Sequence, residues 1–269
     1  MFFIQLNGVE ITFISLQGGM TMLLYQLSVI QLLVFLVFFG LENLFPLRRF
    51  PKVQYWTWLW FGLGFFVMFW MNIMFYFWVY LEFDGLFPIG EWQPVAQGFF
   101  FYIFYSFGNY WFHRWKHSNY VLWKVLHYLH HSPTHMETRV AFFRHPLETL
   151  ANTLFLLLVG KLVFGASVEA IAVALIIEGS LETFHHANIR FPNKLKWLGY
   201  IVQIPVMHLL HHEQGLHRYN YSPFLWDFVF GTAKIPDTWN KRLGFANSHE
   251  LMKLLLFKYR VKKHKRAAV

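Results

Sequence analysis

Histidine spacing carries the chemistry in this chain. Tyr110-Trp111-Phe112-His113-Arg114-Trp115-Lys116-His117 is followed by His127-Tyr128-Leu129-His130-His131, and the second pattern recurs as His208-Leu209-Leu210-His211-His212. On a helix His113 and His117 share one face, and so do His127, His130 and His131 at i, i+3, i+4. Of the 15 histidines, 13 lie between His113 and His217. Neutral imidazole is the commonest metal ligand among side chains, and same-face pairs are how a helix bundle offers several to one site. A lone histidine, or one His-x-x-x-His pair, is more often a satisfied core or surface residue. Three clusters in so apolar a chain point to metal instead. The eight imidazoles of these clusters exceed the ligands that one ion takes, so two metals are expected. Imidazole suits Fe, Zn and Cu alike, so these residues leave the element open.

Other residues join as candidates. His186, which begins His186-Ala187-Asn188-Ile189, is a ninth expected ligand, and His185 is a weaker one because adjacent residues point apart on a helix. His145, in Arg144-His145-Pro146-Leu147-Glu148, reads as opening a helix and is kept as a further site residue. His135 and His217 fit loops, and His249 and His264 fit the surface. Glu137, Glu148, Glu178, Glu182, Glu213 and Asp227 are either partners for the second N–H of a ligand imidazole or ordinary caps and ion pairs. Glu182, one turn before His186, is the best placed of them. Asn188 and Asn220 could also hydrogen-bond a ring nitrogen.

These side chains need a scaffold, and composition says which kind. The chain has 269 residues, 56% hydrophobic and 22% aromatic but only 14% charged, against about 25% charged in a soluble domain. That points to a membrane protein. With no cysteine, disulfides, iron–sulfur clusters and thiolate metal sites are excluded. No basic n-region or cleavage site marks a signal peptide. Residues 1–19 read as a short amphipathic segment at the interface. Apolar spans are expected over Met20 to Phe45, Val53 to Phe83 and Val95 to Phe112, the last leading straight into His113. Leu147 to Phe164 and Val168 to Phe184 form a hairpin broken at Gly165-Ala166-Ser167, either spanning or re-entrant. Trp197 to Leu210, interrupted by Gln203 and Pro205, reads as interfacial or packed on the bundle, and the basic tail Lys258 to Arg266 as loose. The expected architecture is all-α: a polytopic membrane bundle of four to five spans or re-entrant segments, capped by a cytoplasmic histidine-rich region. The domains are 1–94 (spans), 95–235 (histidine region with hairpin 147–184) and 236–269 (basic tail).

Charge orients the bundle. With the Arg48/Arg49/Lys52 loop in the cytoplasm, only Lys161 of the 23 Lys and Arg falls outside, as the positive-inside rule asks. Every histidine cluster then lands on the cytoplasmic side. The net charge of +9 is thereby explained by topology, and no nucleic-acid partner is expected.

The three clusters, with Arg144-His145-Pro146-Leu147-Glu148, His186-Ala187-Asn188 and the run from Asn220-Tyr221-Ser222-Pro223 to Gly231-Thr232, resemble the fatty acid hydroxylase / sterol desaturase superfamily over roughly residues 95–235. The doubled His185-His186 and the insert from Gly215 to Tyr219 depart from its pattern. The resemblance implies an integral-membrane oxidoreductase with two non-haem irons, O2 as co-substrate and an aliphatic lipid substrate, a fatty acyl chain or a sterol-like molecule. A purified form could carry Zn. The membrane is the bacterial inner membrane or the endoplasmic reticulum. Lacking cysteine and a dinucleotide-binding glycine loop, the chain needs an external electron donor of ferredoxin or cytochrome type. Lys194, Lys196, Lys241 and Arg242 could attract it, or anionic lipid headgroups instead. The alternative function is a metal transporter or metal sensor, whose ligands belong near the bilayer midplane. The spans before Phe112 hold no histidine. A haem electron carrier would use isolated His pairs rather than tandem clusters.

Overall fold

A computed structural model describes residues 2–6, 9–13, 18–51, 53, 56–80, 85–216, 218–245 and 250–259. His217, His249 and His264, and the tail beyond Tyr259, lie outside them. In the chain from Gly18 onward, the named elements among the described residues are all helical. Its named strands among the described residues are β1 (Phe2–Leu6) and β2 (Val9–Phe13), paired antiparallel with Phe2 opposite Phe13. This hairpin lies within residues 1–19, expected as a short amphipathic segment without an assigned secondary structure. Two apolar runs separated by Asn7-Gly8 are a hairpin pattern.

Three long helices follow: α1 (Gly18–Leu44), α2 (Trp56–Tyr80) and α3 (Pro94–Ser118). Pro94 at the first turn of α3 costs no hydrogen bond there. α3 continues past Phe112 without a break, as expected, and so carries His113 and His117 on its last turns. Asn119 then restarts the chain, its side chain accepting from Val121 N and Leu122 N to cap α4 (Tyr120–Leu122). A π-helical turn follows at Trp123–His127, and a 3-10 turn at Thr138–Phe142. The expected hairpin is present as α5 (Pro146–Leu157), prolonged by a π-helical stretch Leu158–Val163, and α6 (Val168–His186), capped by Ser167. A 3-10 segment Asn193–Tyr200 leads to α7 (Pro205–His211), α8 (Trp226–Val229) and α9 (Leu251–Leu255).

By length and hydropathy, one helix among the described residues, Pro146–Val163, is long and apolar enough to cross a bilayer; Val29–Leu44 and Trp56–Val67 are shorter apolar stretches. α6 is the hub: α3 and α1 both pack along it, while α2 lies against α5. Small residues permit the close approach. A Cβ on Gly98 of α3 would lie 2.5 Å from Val173 Cβ, and one on Gly179 of α6 would lie 2.6 Å from Gln31 Oε1 of α1. Where apolar helices gain little by leaving apolar surroundings, such tight contact supplies the packing energy. At the far end of α1, buried Glu42 accepts from Thr138 N at 2.7 Å and Asn188 N at 3.1 Å. It thus ties α1 to both segments that flank the histidines.

Gly98→Val is expected to destabilise the bundle by about 1–3 kcal/mol through overpacking, read as a lower melting temperature in detergent. Gly62→Ala, in the interior of α2 with nothing within 4 Å, should not lower it, since Ala is favoured over Gly in a helix by about 0.5–1 kcal/mol. Equal shifts would remove Gly98 from the helix contact.

A candidate metal centre

The nine histidines expected as ligands fall into two groups. His113, His117, His127, His131 and His211 form one, and His130, His186, His208 and His212 form the other; within each group one nitrogen of every ring lies within 4.8 Å of the others. Five elements supply them: α3, the π turn, the turn after it, the end of α6, and α7 with His212 beyond it. The groups are contiguous, since His131 and His212 stack with ring centroids 4.0 Å apart.

The clusters of the sequence do not map one to one onto the two groups. His127, His130 and His131 do not serve one site, because His127 and His131 enter the first group and His130 the second. The later cluster reverses this, with His208 and His212 in the second group and His211 in the first. The reason is angular. Residues at i and i+4 diverge by about 40° around a helix, whereas i+3 and i+4 stand about 100° apart, so the adjacent pair straddles two sites. The π turn, a form concentrated at functional sites, ends at His127.

Hydrogen bonds settle where the protons sit. Nδ1 of His113 donates to Tyr221 O at 2.5 Å, and Nδ1 of His127 to Glu148 Oε1 at 2.6 Å. Nδ1 of His208 donates to Gln203 Oε1 at 2.6 Å, that of His186 to Glu182 O at 2.8 Å, and that of His211 to Tyr219 O at 2.8 Å. Every one of these acceptors is an oxygen with no proton to give, so in a neutral ring Nε2 is bare. Yet His113 Nε2 lies 2.8 Å from His127 Nε2, and His208 Nε2 lies 2.9 Å from His186 Nε2. Two lone pairs opposed at that distance repel unless a cation lies between them. Cis nitrogen ligands on one ion, with metal–nitrogen bonds near 2.1 Å, stand about 3 Å apart. The donor set therefore fits a metal ion in each group.

Burial keeps the rings neutral, as ligation requires. It holds His130, His131, His208 and His212 well below the usual imidazole range, and neighbouring histidines add to the effect. His127 is lowered to about 4 by burial, although the Glu148 carboxylate pulls the other way. Glu148 is fully buried and also accepts from Lys116 Nζ at 2.9 Å.

The remaining candidates divide. Glu182 pairs with Arg144 and has a carboxylate oxygen 3.5 Å from His185 and 3.6 Å from His186, so these three form a further cluster beside the second group. His185 lies there with its ring centroid 4.0 Å from that of His208. His145 stands apart from both groups: its Nδ1 accepts from Leu147 N to cap α5, and its Nε2 donates to Leu255 O. His135, in a loop, packs on the edge of Trp56. Asn188 and Asn220, which could have met ring nitrogens, bond the main chain instead: Asn188 Nδ2 donates to Arg48 O and Asn220 Nδ2 to Met207 O and Lys234 O. The group that holds His208 is Gln203, read from the sequence only as an interruption of an apolar segment. A buried polar residue within such a segment was the available signal. The carbonyls of Tyr219 and Tyr221 left none, since a main-chain acceptor has no residue signature.

A model of the fatty acid hydroxylase family matches residues 98–232, a stretch that contains both groups. No curated protein and no solved structure matches the chain.

Interleaving has a measurable consequence. The protein should bind about two metal ions per chain. The double variant His127→Ala/His131→Ala should keep one ion, whereas His130→Ala/His131→Ala should lose both, as elemental analysis reads. Equal losses would contradict the partition. Gln203→Leu and Glu148→Gln should each weaken metal affinity about 10–100-fold, measured by competition with a chelator.

Proposed function

Because the chain belongs to the fatty acid hydroxylase family, we propose that it is a membrane-bound, O2-dependent oxidoreductase that hydroxylates or desaturates an aliphatic lipid, with an iron ion in each histidine group. The observation that carries this reading is the pair of buried imidazole groups with opposed, bare Nε2 atoms. Iron so held would supply the oxidising power toward an unactivated C–H bond that no side chain possesses. Hydroxylation inserts one oxygen atom of O2 and releases the other as water; desaturation removes two hydrogens and releases both oxygens as water. Either reaction takes up two electrons and two protons.

The chain's own residues have definite tasks in this reading. Five of the nine imidazoles, His113, His127, His186, His208 and His211, present a bare Nε2. The carbonyls of Tyr219, Tyr221 and Glu182 and the side chains of Gln203 and Glu148 hold the rings in one tautomer and one orientation. His130, His131, His186, His208, His211 and His212 are buried, and this keeps bulk water from the reacting carbon.

The spans, the cytoplasmic orientation and the electron source belong to the same proposal. Electrons come from a separate ferredoxin- or cytochrome-type protein. A cleft of about 270 Å³ lined by Leu210, Glu213, Lys234, Trp239 and Lys241 abuts the last turn of α7 and carries the cations that an acidic donor would meet.

Lipid mass spectrometry of a host expressing wild type beside His211→Ala tests the reading. A product heavier by one oxygen identifies hydroxylation, and one lighter by two hydrogens desaturation. Both should be absent with His211→Ala. An unchanged lipid profile, in a host that supplies iron and the donor, would sink it.

A further inference from the structure

One surface runs past the point where the third span was expected to leave the membrane. Phe99, Ile103, Phe107, Trp111 and Trp115 recur every fourth residue along α3, and all are exposed. The stripe therefore continues to either side of His113 instead of ending at Phe112. α8 extends it sideways. Phe228 and Val229 are each more than half exposed, at 58% and 54%. Trp226 packs on Phe107 with ring centroids 5.2 Å apart, and Phe230 packs on Trp111 at 4.9 Å. Water-facing surfaces rarely carry a contiguous patch of this kind. Arg114 lies 5.3 Å over the Trp111 ring, the pairing of cation and indole that suits a bilayer interface.

The same patch is two rings away from the five-histidine group. Phe230 stacks on buried Tyr110 at 5.1 Å and 19°. Tyr110 meets Tyr221 at 6.1 Å, and Tyr221 lies 5.8 Å from His113, 5.5 Å from His117 and 5.7 Å from His211. The rim is held by polar bonds, because Asp227 accepts from Tyr221 N, Ser222 N and Thr232 Oγ1. Gly231, next to Phe230, has φ +68° and open space where a Cβ would stand, so the chain can turn there without a side chain in the way.

We propose that the seam between α3 and α8 is where one hydrocarbon chain of a bilayer lipid reaches the five-histidine group, parting Phe230 from Tyr110 and ending against Tyr221. This rests on the lipid-oxidation reading and adds the route and its lining to it. The occupant is an acyl chain because the patch is continuous with the apolar stripe of α3 and because every ring on the route except the tyrosine hydroxyls is apolar.

Two measurements test this without turnover. The chain has no cysteine, so Phe230→Cys accepts a single spin label in phosphatidylcholine nanodiscs. Dissolved O2, which partitions into lipid, should relax that label several-fold more than a water-soluble nickel chelate. Stronger relaxation by nickel, or protection from both as under a second copy of the chain, would overturn the proposal. In wild type, phosphatidylcholine with a mid-chain diazirine should give photo-adducts on residues 226–232 and on Tyr221. Adducts confined to other faces would also overturn it. If these labels appear and no lipid is oxidised, the proposed function fails alone. If lipid is oxidised without them, only the route is wrong.

Discussion

The structure depends on committed imidazole protons. Once Nδ1 of His113, His127, His186, His208 and His211 donates to an oxygen, the other nitrogens have only lone pairs to offer, and they face one another in a buried space. Such an arrangement is unfavourable without positive charge at its centre. The fold must hold the rings there against that repulsion, and much of the local architecture serves this end. The loop after α7 returns so that the carbonyls of Tyr219 and Tyr221 reach two rings of the first group. Gln203 is turned by its own bond to Asn220 O so that its oxygen faces His208.

Buried charge is arranged around the same constraint. Lys116 pairs with Glu148 beside the first group, and Arg144 pairs with Glu182 beside the second. A buried ion pair returns its desolvation cost only when the remaining lone pairs are also satisfied. Here the N–H of His127 joins Lys116 on one oxygen of Glu148, whose Oε2 is buried without a hydrogen bond, and Glu182 faces His185 and His186. The pairs thus join α3 to α5 and the loop before α5 to α6. Glu42 adds the end of α1 to the same assembly.

Much of the fold was legible in the residues. Long apolar runs located α1, α2, α3 and the hairpin of α5 and α6, because uninterrupted apolar sequence of that length has few other uses. The break at Gly165-Ala166-Ser167 was legible too, since Ser167 is a good cap. The β1–β2 hairpin was missed for want of weight on Asn7-Gly8. His145 shows the limit in the opposite direction. Its type suited a ligand, but its position before Pro146 made it a cap, and the cap is what the structure contains.

The sequence alone singled out the histidines of the tandem clusters and His186, because such spacing is rare in an apolar chain, and these nine lie in the two groups, with His185 beside them. Tertiary structure decided how they divide. Spacing along one helix gives the angle between its own side chains, so His127 and His131 could be paired locally. Whether His130 turns toward His131 or toward His186 depends on where α6 and α7 stand relative to the π turn. That is set by glycine contacts, buried ion pairs and main-chain carbonyls far away in sequence, and none of these has a periodicity to read.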